Sequence, residues 1–294
     1  MTDELGFSGR VAVVTGAGRG LGREYALALA ARGAAVVVND IGVALDGTGG
    51  DPGPAAAVVA DIEAAGGKAV PDGNSVATPD GGAALVRTAV ESFGRVDIVV
   101  NNAGILQDRP FHKLAMEQVT PVLDVHLAGA FHVCLAAWPH MREQGHGRIV
   151  NTTSTAGLFG NFGQASYAAA KMGLVGLTRV LAIEGAKYDV KANAVAPGAV
   201  TRMTPDGLVR DPTALAVGQV SPLVTYLAHS SCTVSGEVFR ASGGHVARVF
   251  VAITDGYHNP DLTAEDVRDQ MEVIRDTARF AVPTSALDDL RVGR

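Results

Sequence analysis

The sequence predicts an α/β protein with a doubly wound parallel sheet of about seven strands in a single domain. Short β-branched runs alternate with stretches of helical periodicity, which is typical of parallel strands joined by helices. Runs such as AVVV and DIVV show no regular polar alternation, as expected of strands covered by helices on both faces. No Pro- or Ser-rich linker divides these units, so we expect one shared core.

Individual elements follow from these patterns. Strands are predicted at residues 11–14, 35–38, 68–70, 96–100, 148–151 and 190–195, and helices at 21–31, 55–65, 83–93, 122–141 and 165–186. The Gly-rich residues 41–53 are expected to form a loop insertion. Residues 1–244 would form the catalytic domain. Residues 245–294 would form a C-terminal extension packed on it, with a Thr-capped helix over 263–278.

Composition narrows the function classes. With 24 basic and 30 acidic residues, the chain has no cationic surplus for nucleic-acid phosphates. Cys134 and Cys232 are far apart in the sequence, and the histidines lack metal-ligand spacing, so we expect neither a disulfide framework nor a metal. The start of the chain is acidic, and no later window approaches an unbroken apolar run of membrane-spanning length. These features predict a cytoplasmic protein without a membrane span.

A glycine-rich turn, TGAGRGLG at residues 15–22, follows the first predicted strand and opens a helix. Glycine lets backbone amides approach a pyrophosphate, and the helix dipole favours its negative charge. The pattern therefore predicts a Rossmann-type dinucleotide site. The alternative is a glycine-rich turn that binds no ligand.

Asp40 ends the second predicted strand, 24 residues beyond Gly16. A carboxylate there can accept hydrogen bonds from the adenosine ribose, and it would repel a 2′-phosphate. Because no Arg follows immediately in NDIGVAL, the sequence favours NAD over NADP. The alternative is an acid that only caps a turn.

Three side chains could carry proton chemistry. Ser154 follows the fifth strand, and Tyr167 and Lys171 lie four residues apart on a predicted helix, on the same face. A neighbouring ammonium stabilises a phenolate and lowers the pKa of a tyrosine. Tyr167 could then exchange the proton of an alcohol, while Ser154 holds the substrate oxygen. A Tyr and Lys pair at this spacing is otherwise common on protein surfaces, so its context decides the interpretation.

Taken together, TGAGRGLG, NNAG at residues 101–104, Ser154 and Tyr167-x-x-x-Lys171 resemble the short-chain dehydrogenase/reductase family. The resemblance implies a nicotinamide dinucleotide bound by the glycine turn, Asp40 and the NNAG segment, with Lys171 on the nicotinamide ribose. It also implies a homodimer or homotetramer packed through the helices at 122–141 and 165–186. The cofactor-binding residues implied are Gly16, Arg19, Gly20, Leu21, Gly22, Asp40, Asn74, Ser75, Val76, Asn102, Ala103, Gly104, Tyr167, Lys171, Pro197, Val200 and Thr201.

Segments such as NNAGILQDRPF, DVHLAGAFHV and GNFGQASYAAAKMGL are similar to a narrower group, the (3R)-hydroxyacyl-CoA dehydrogenase units of peroxisomal multifunctional enzyme type 2. That group also includes proteins called 17β-hydroxysteroid dehydrogenase type 4. His126 stands where the wider family has a catalytic Asn, and His is typical of the narrower group. His126 would either serve a water relay to Lys171 or be a buried His satisfied by backbone. Asn74 replaces an Asp that commonly faces the adenine.

The narrower resemblance implies reversible NAD-dependent oxidation of a (3R)-3-hydroxyacyl-CoA. The loop at 202–220 would cover the acyl group, and Arg202, Arg210 and Arg248 are candidates to meet CoA phosphates, although each could be an ordinary surface charge. One alternative is a hydroxysteroid dehydrogenase with the same catalytic set. Another is a catalytically silent nucleotide-binding scaffold, which the intact Ser, Tyr and Lys argue against. A methyltransferase would not need NNAG or the Tyr and Lys pair.

Overall fold

The computed structural model describes residues 4–201, 204 and 212–289. The strands are β1 Val11–Thr15, β2 Ala35–Asn39, β3 Lys68–Asp72, β4 Ile98–Asn101, β5 Gly147–Thr152, β6 Val190–Gly198, β7 Val238–Ser242, β8 His245–Val249, β9 Ile253–Thr254 and β10 Phe280–Ala281. The helices are α1 Gly20–Ala30, α2 Gly53–Ala64, α3 Pro79–Phe93, α4 Met116–Leu123, α5 Gly129–Gln144, α6 Thr155–Phe159, α7 Ala165–Gly185, α8 Ser221–Ala228, α9 Ala264–Asp269, α10 Met271–Ile274 and α11 Ala286–Asp289.

One eight-stranded sheet runs in the order β3-β2-β1-β4-β5-β6-β7-β8, and the pairings from β3 to β7 are all parallel. The predicted doubly wound α/β fold is confirmed. The strand order reverses between β1 and β4, and such a switch point opens a crevice at the carboxyl ends of the strands. The sequence prediction missed β7, whose run VFRAS mixes polar and apolar residues, and the edge strand β8.

The sheet divides the core into two layers. Val13 and Val14 are neighbours in β1, yet they belong to different buried clusters because alternate side chains of a strand point to opposite faces. On one face Val14 packs with Tyr25 and Leu29 of α1, and on the other Val13 packs in a cluster with Leu85 of α3. Both faces are therefore covered, as the apolar strands predicted.

The helical run from Met116 to Gln144 has three parts: α4, a π-helical segment Asp124–Ala128, and α5. By length and composition alone it is apolar enough to cross a membrane. The expectation of no membrane span therefore stays a prediction. A core helix of a soluble protein meets the same criterion, and Val133, Ala137 and Met141 of α5 are fully buried within the protein.

A second compact unit begins at Val249, four residues later than the extension expected from the sequence. It contains the antiparallel pair β9 and β10 and the short helices α9, α10 and α11. Thr263 caps α9 in a capping box with Asp266, as the sequence suggested, but the predicted helix over 263–278 is interrupted at Gln270. The packing of this unit on the catalytic domain stays a prediction.

Candidate active site

Ser154, Tyr167 and Lys171 lie beside the carboxyl end of β5. Ser154 caps α6, with its Oγ accepting a hydrogen bond from the Ala156 amide at 3.1 Å. Tyr167 and Lys171 are on the first turns of α7, and the Lys171 Nζ is 5.6 Å from the centroid of the Tyr167 ring. The Ser154 side chain also forms a hydrogen bond with the Tyr167 hydroxyl. The structure thus brings the three predicted side chains together.

Lys171 is almost fully buried, with 3% of its surface exposed. Its Nζ donates to the Thr152 carbonyl oxygen at 2.6 Å, and its own carbonyl oxygen accepts from Thr153 Oγ1 at 2.6 Å. Burial lowers the pKa of Lys171 to about 7, because an ammonium loses hydration there. The amine can therefore gain or lose a proton near neutral pH.

The pKa of Tyr167 is raised from its ordinary value. Burial is the main cause, the hydrogen bond with Ser154 opposes it, and the charge of Asp108 adds to it. This differs from the expectation that the Lys171 ammonium lowers the pKa of Tyr167. The physical reason is that removal of the phenolate from water outweighs the other effects in the protein alone.

His126 lies in the π-helical segment and is also buried, with its ring edge-to-face against Tyr167 at 5.1 Å between centroids. Its Nε2 is 2.8 Å from the Ile105 carbonyl oxygen and 3.1 Å from the Ile105 amide nitrogen. Its Nδ1 is buried with no hydrogen-bond partner among the described residues. Burial, together with the charge of Lys171, holds the pKa of His126 well below its ordinary value, so the ring is neutral.

Gly104 explains how the His126 ring fits. A Cβ built on Gly104 would lie 2.3 Å from His126 Cε1, so any side chain there would collide with the ring. The NNAG glycine is thus required by close packing with His126. Gly104 also borders the pocket described below.

The glycine turn packs tightly against the NNAG segment. Asn102 Nδ2 donates to the carbonyl oxygens of Thr15 and Gly16, at 3.0 and 3.1 Å. A Cβ on Gly22 would lie 2.2 Å from the Gly16 carbonyl oxygen, so Gly22 serves close packing of α1 on the turn. Gly20 has a positive φ of 54°, and a Cβ there would meet nothing nearer than 4.0 Å. Space therefore remains at the start of α1, where no side chain caps the helix.

Asp40 is hydrogen-bonded through both carboxylate oxygens. Oδ2 accepts from the Gly18 amide at 2.8 Å and Oδ1 from the Gly42 amide at 2.7 Å. The carboxylate thus joins the glycine turn to the start of the insertion, and each oxygen keeps acceptor capacity for a ligand. The turn-capping alternative and the ligand-binding hypothesis are therefore compatible at this residue.

A pocket of about 440 Å³ lies next to Asp40. Among the residues that line it are the predicted cofactor residues Gly16, Asp40, Asn74, Ser75, Val76, Ala103 and Gly104. Its polar rim and its place at the strand switch point fit the adenosine half of a dinucleotide. The insertion contributes Ile41, Val43 and residues 46–48 to the wall.

The remaining predicted residues are more peripheral. Arg19 is exposed at the start of α1, and Leu21 packs at the edge of the core. Pro197 is the penultimate residue of β6, the Val200 amide donates to the Leu215 carbonyl oxygen at 2.8 Å, and Thr201 is the residue nearest to the Cβ position of Gly20. The end of β6 therefore approaches the glycine turn.

Of the three arginines proposed for CoA phosphates, the structure describes Arg248 alone. Arg202 and Arg210 are outside the described residues. Arg248 pairs with Glu237, with 3.3 Å between Nη2 and Oε1. The Arg248 side chain is half exposed, and its assignment to a CoA phosphate stays a prediction.

Sequence reasoning missed several polar residues that hold the site. Thr15 Oγ1 accepts from the amides of Asn102 and Ala103, at 2.9 and 3.0 Å. Asp72 is buried and accepts from Asn39, Asn74 and Thr88. The only signal was a lone acid at the end of a strand. Asn74 Nδ2 donates to Asp72, and the Asn74 Oδ1 remains available as a hydrogen-bond acceptor for a ligand.

Comparisons with known proteins agree with this geometry. The family model for short chain dehydrogenases matches residues 10–207. A short-chain type dehydrogenase/reductase of Mycobacterium tuberculosis is 54% identical over 85% of this chain and 88% of its own. A hydroxyacyl-CoA dehydrogenase of the same organism is 39% identical over 94% of this chain and 90% of its own.

Among solved structures, full-length peroxisomal multifunctional enzyme type 2 of Drosophila melanogaster superposes with a TM-score of 0.81 at 39% identity. That match covers 98% of this chain and 49% of the Drosophila chain, so this chain spans about half of that protein.

Proposed function

Because the chain belongs to the short-chain dehydrogenase/reductase family, we propose that it oxidises a (3R)-3-hydroxyacyl-CoA reversibly to the 3-oxoacyl-CoA, with NAD as cofactor. It is an oxidoreductase that acts on the CH–OH group of its substrate. The observation that carries the proposal is the set of Ser154, Tyr167 and buried Lys171, grouped beside one end of the sheet. A silent scaffold would have no need of this set.

When bound, NAD+ accepts the hydride from the carbinol carbon. In this proposal Ser154 donates a hydrogen bond to the substrate oxygen and holds it at the Tyr167 hydroxyl. The Tyr167 phenolate accepts the hydroxyl proton as the carbonyl forms. A bound nicotinamide cation would favour the phenolate and offset the burial that raises the pKa of Tyr167. Lys171, with a pKa of about 7, would pass the proton onward.

NAD is proposed over NADP because of the charge around the ribose position. Asp40 lines the pocket, and Asp46 of the insertion lines the same pocket. Two carboxylates would repel a 2′-phosphate at close range. Among the described residues that line this pocket there is no lysine or arginine.

The substrate is proposed on two grounds. One relative with 39% identity over most of this chain is named a hydroxyacyl-CoA dehydrogenase. The sequence also carries GNFGQ at residues 160–164, just before the catalytic Tyr167, and this segment is part of the narrower resemblance.

NADH absorbance with (3R)-hydroxyacyl-CoAs of several lengths, their (3S) epimers and hydroxysteroids tests the proposal. We expect turnover of the (3R) epimers and a loss of about 100- to 10,000-fold in kcat for Tyr167→Phe. Tyr188→Phe is a matched control, since the Tyr188 hydroxyl accepts a hydrogen bond from Arg142 away from the catalytic set. Equal activity of Tyr167→Phe and wild type would contradict the mechanism. Preference for the (3S) epimer or for steroids would contradict the substrate alone.

We also propose a homo-oligomer. Phe131 and Leu135 of α5 and Val180 and Ile183 of α7 are exposed apolar side chains at helical spacing. Their burial against a second copy would explain them, and a sizing column that shows only monomer at micromolar concentration would contradict it. A cytoplasmic location stays a prediction.

A further inference from the structure

Because α2 begins at Gly53, the insertion forms a loop over residues 41–52, and this loop is closed by its own hydrogen bonds. The Ala44 amide donates to the Thr48 carbonyl oxygen at 2.9 Å, and the Asp51 amide to the Ile41 carbonyl oxygen at 3.1 Å. The Asp46 carboxylate accepts from both the amide and the hydroxyl of Thr48. Internal hydrogen bonds of this kind hold a surface loop in one shape. A displacement of its tip, residues 45–48, would therefore also move the residues that the tip contacts.

The tip rests on the segment that follows NNAG. The Leu106 amide donates to the Leu45 carbonyl oxygen at 2.8 Å, and Gln107 Nε2 donates to the Asp46 carbonyl oxygen at 3.1 Å. Between these bonds, Gly47 faces Ile105, and a Cβ on Gly47 would lie 3.2 Å from Ile105 Cδ1. Ile105 is buried, so it has little room to move away.

Ile105 connects the tip to the catalytic tyrosine. Both its backbone amide and its carbonyl oxygen lie within hydrogen-bond distance of His126 Nε2. The His126 ring in turn packs edge-to-face on Tyr167. A row of close neighbours therefore leads from Gly47 through Ile105 and His126 to the Tyr167 ring, which is proposed to transfer the proton.

We propose that the tip of the insertion, through Gly47, braces Ile105 and so positions the His126 ring against Tyr167. Gly47 and Ile105 are then positioning residues for proton transfer, although neither touches the reacting atoms. The inference rests on the proposed function, because the pocket lined by the tip is the proposed adenosine site. An adenosine group bound in that pocket would contact the tip, and this contact would couple cofactor binding to the placement of Tyr167.

The chain offers a matched pair for the test. Gly47 and Gly49 both have positive φ, of 90° and 78°, so alanine strains the backbone similarly at either position. A Cβ on Gly49 meets nothing within 4 Å, whereas a Cβ on Gly47 presses on Ile105. Both substitutions therefore strain the backbone, but only Gly47→Ala adds a methyl group that presses on Ile105.

The experiment measures kcat, KM for the alcohol, the NADH dissociation constant and the thermal midpoint of the 294-residue chain. We expect Gly47→Ala to lower kcat by about tenfold and to weaken NADH binding, since small misplacements of reacting groups are costly. Gly49→Ala should stay within about twofold of wild type. Adding Ile105→Val to Gly47→Ala removes the atom nearest the new methyl group and should recover most of the lost kcat.

Equal behaviour of the two glycine variants would overturn the proposal, as would a Gly47→Ala loss that Ile105→Val does not relieve. A change in NADH binding without a change in kcat would overturn the coupling to Tyr167. If wild type oxidises a hydroxysteroid instead, the same variants are compared on that substrate. If the wild type oxidises no alcohol with NAD, the proposed function itself is contradicted. If the wild type is active and the two glycine variants behave alike, only the bracing role of Gly47 is contradicted.

Discussion

Lys171 and Asp40 both serve the carboxyl edge of the sheet, but their surroundings differ. Lys171 is buried, and its ammonium is fixed by the carbonyl oxygen of Thr152 in β5. Asp40 is half-buried and is held by the amides of Gly18 and Gly42, both in loops. Rigid elements thus hold the proton-handling side chains, and loops hold the cofactor-selecting ones. Changes in the first region should abolish chemistry, and changes in the second should retune affinity.

The largest effect is expected at Gly104. Gly104→Ala would drive a methyl group into His126 and displace the ring packed on Tyr167, so kcat should fall by about 100-fold or more. Gly73→Ala, beside the adenosine pocket, is the matched change, because a Cβ there meets nothing within 4 Å. Steady-state kinetics of both variants test this expectation. If Gly73→Ala lowered kcat as much as Gly104→Ala does, the expected difference between the catalytic set and the cofactor pocket would be contradicted.

Next is the pH dependence of stability. The pKa of Lys171 is about 7 in the folded state, below its unfolded value, so between these two the unfolded chain binds more protons. Unfolding free energy therefore rises with pH in that range. Relative to Lys171→Met, wild type should gain roughly 2–3 kcal/mol between pH 7 and 9.5. Urea unfolding at one protein concentration measures this, with the exposed Lys187→Met as control; parallel curves for wild type and Lys171→Met would refute it.

A smaller effect is expected at Asp40. Asp40→Ala removes the charge that opposes a 2′-phosphate, and it also frees the amides of Gly18 and Gly42. The ratio of kcat/KM for NADP+ to that for NAD+ should rise by about tenfold, with NAD+ use reduced. Asp51→Ala is the control, since that acid of the insertion does not line the pocket. An unchanged ratio in Asp40→Ala would remove the basis for the cofactor assignment.

The smallest effect is expected at Asn74. Asn74→Ala deletes one hydrogen bond to the proposed adenine position, so KM for NAD+ should rise about two- to fivefold while kcat stays unchanged. Asn259→Ala serves as the control. A loss in kcat would show that a change in the adenosine pocket also affects the catalytic set, against the distinction drawn between the two regions.

Features set by residues close in sequence were predictable. The glycine turn, the Tyr and Lys spacing and the apolar strands are local patterns, and the structure contains each of them. Bonds between distant residues were not predictable. Thr15 meets Asn102 across 87 positions and Asn39 meets Asp72 across 33, and no local pattern encodes either partner.

Other failures have separate physical causes. The helix over 263–278 is interrupted at Gln270 although neither Gly nor Pro stands there. The docking of the insertion on residues 105–107 uses backbone carbonyl oxygens of the insertion as acceptors, and such acceptors carry no sequence signature. The pKa of Tyr167 depends on the depth of burial, which the sequence did not reveal.

The π-helical turn at Asp124–Ala128 makes this part of the chain sensitive to insertions and deletions. A π turn holds one residue more than an α turn, which shifts the phase of all later side chains by about 100°. Upstream of it α4 contacts α7, and downstream α5 contacts α3, so each half is in phase with a different neighbour. Deleting one residue here would restore a continuous α-helix and rotate one half out of register. This segment should therefore tolerate substitutions far better than insertions or deletions, unlike the loops at the same edge of the sheet.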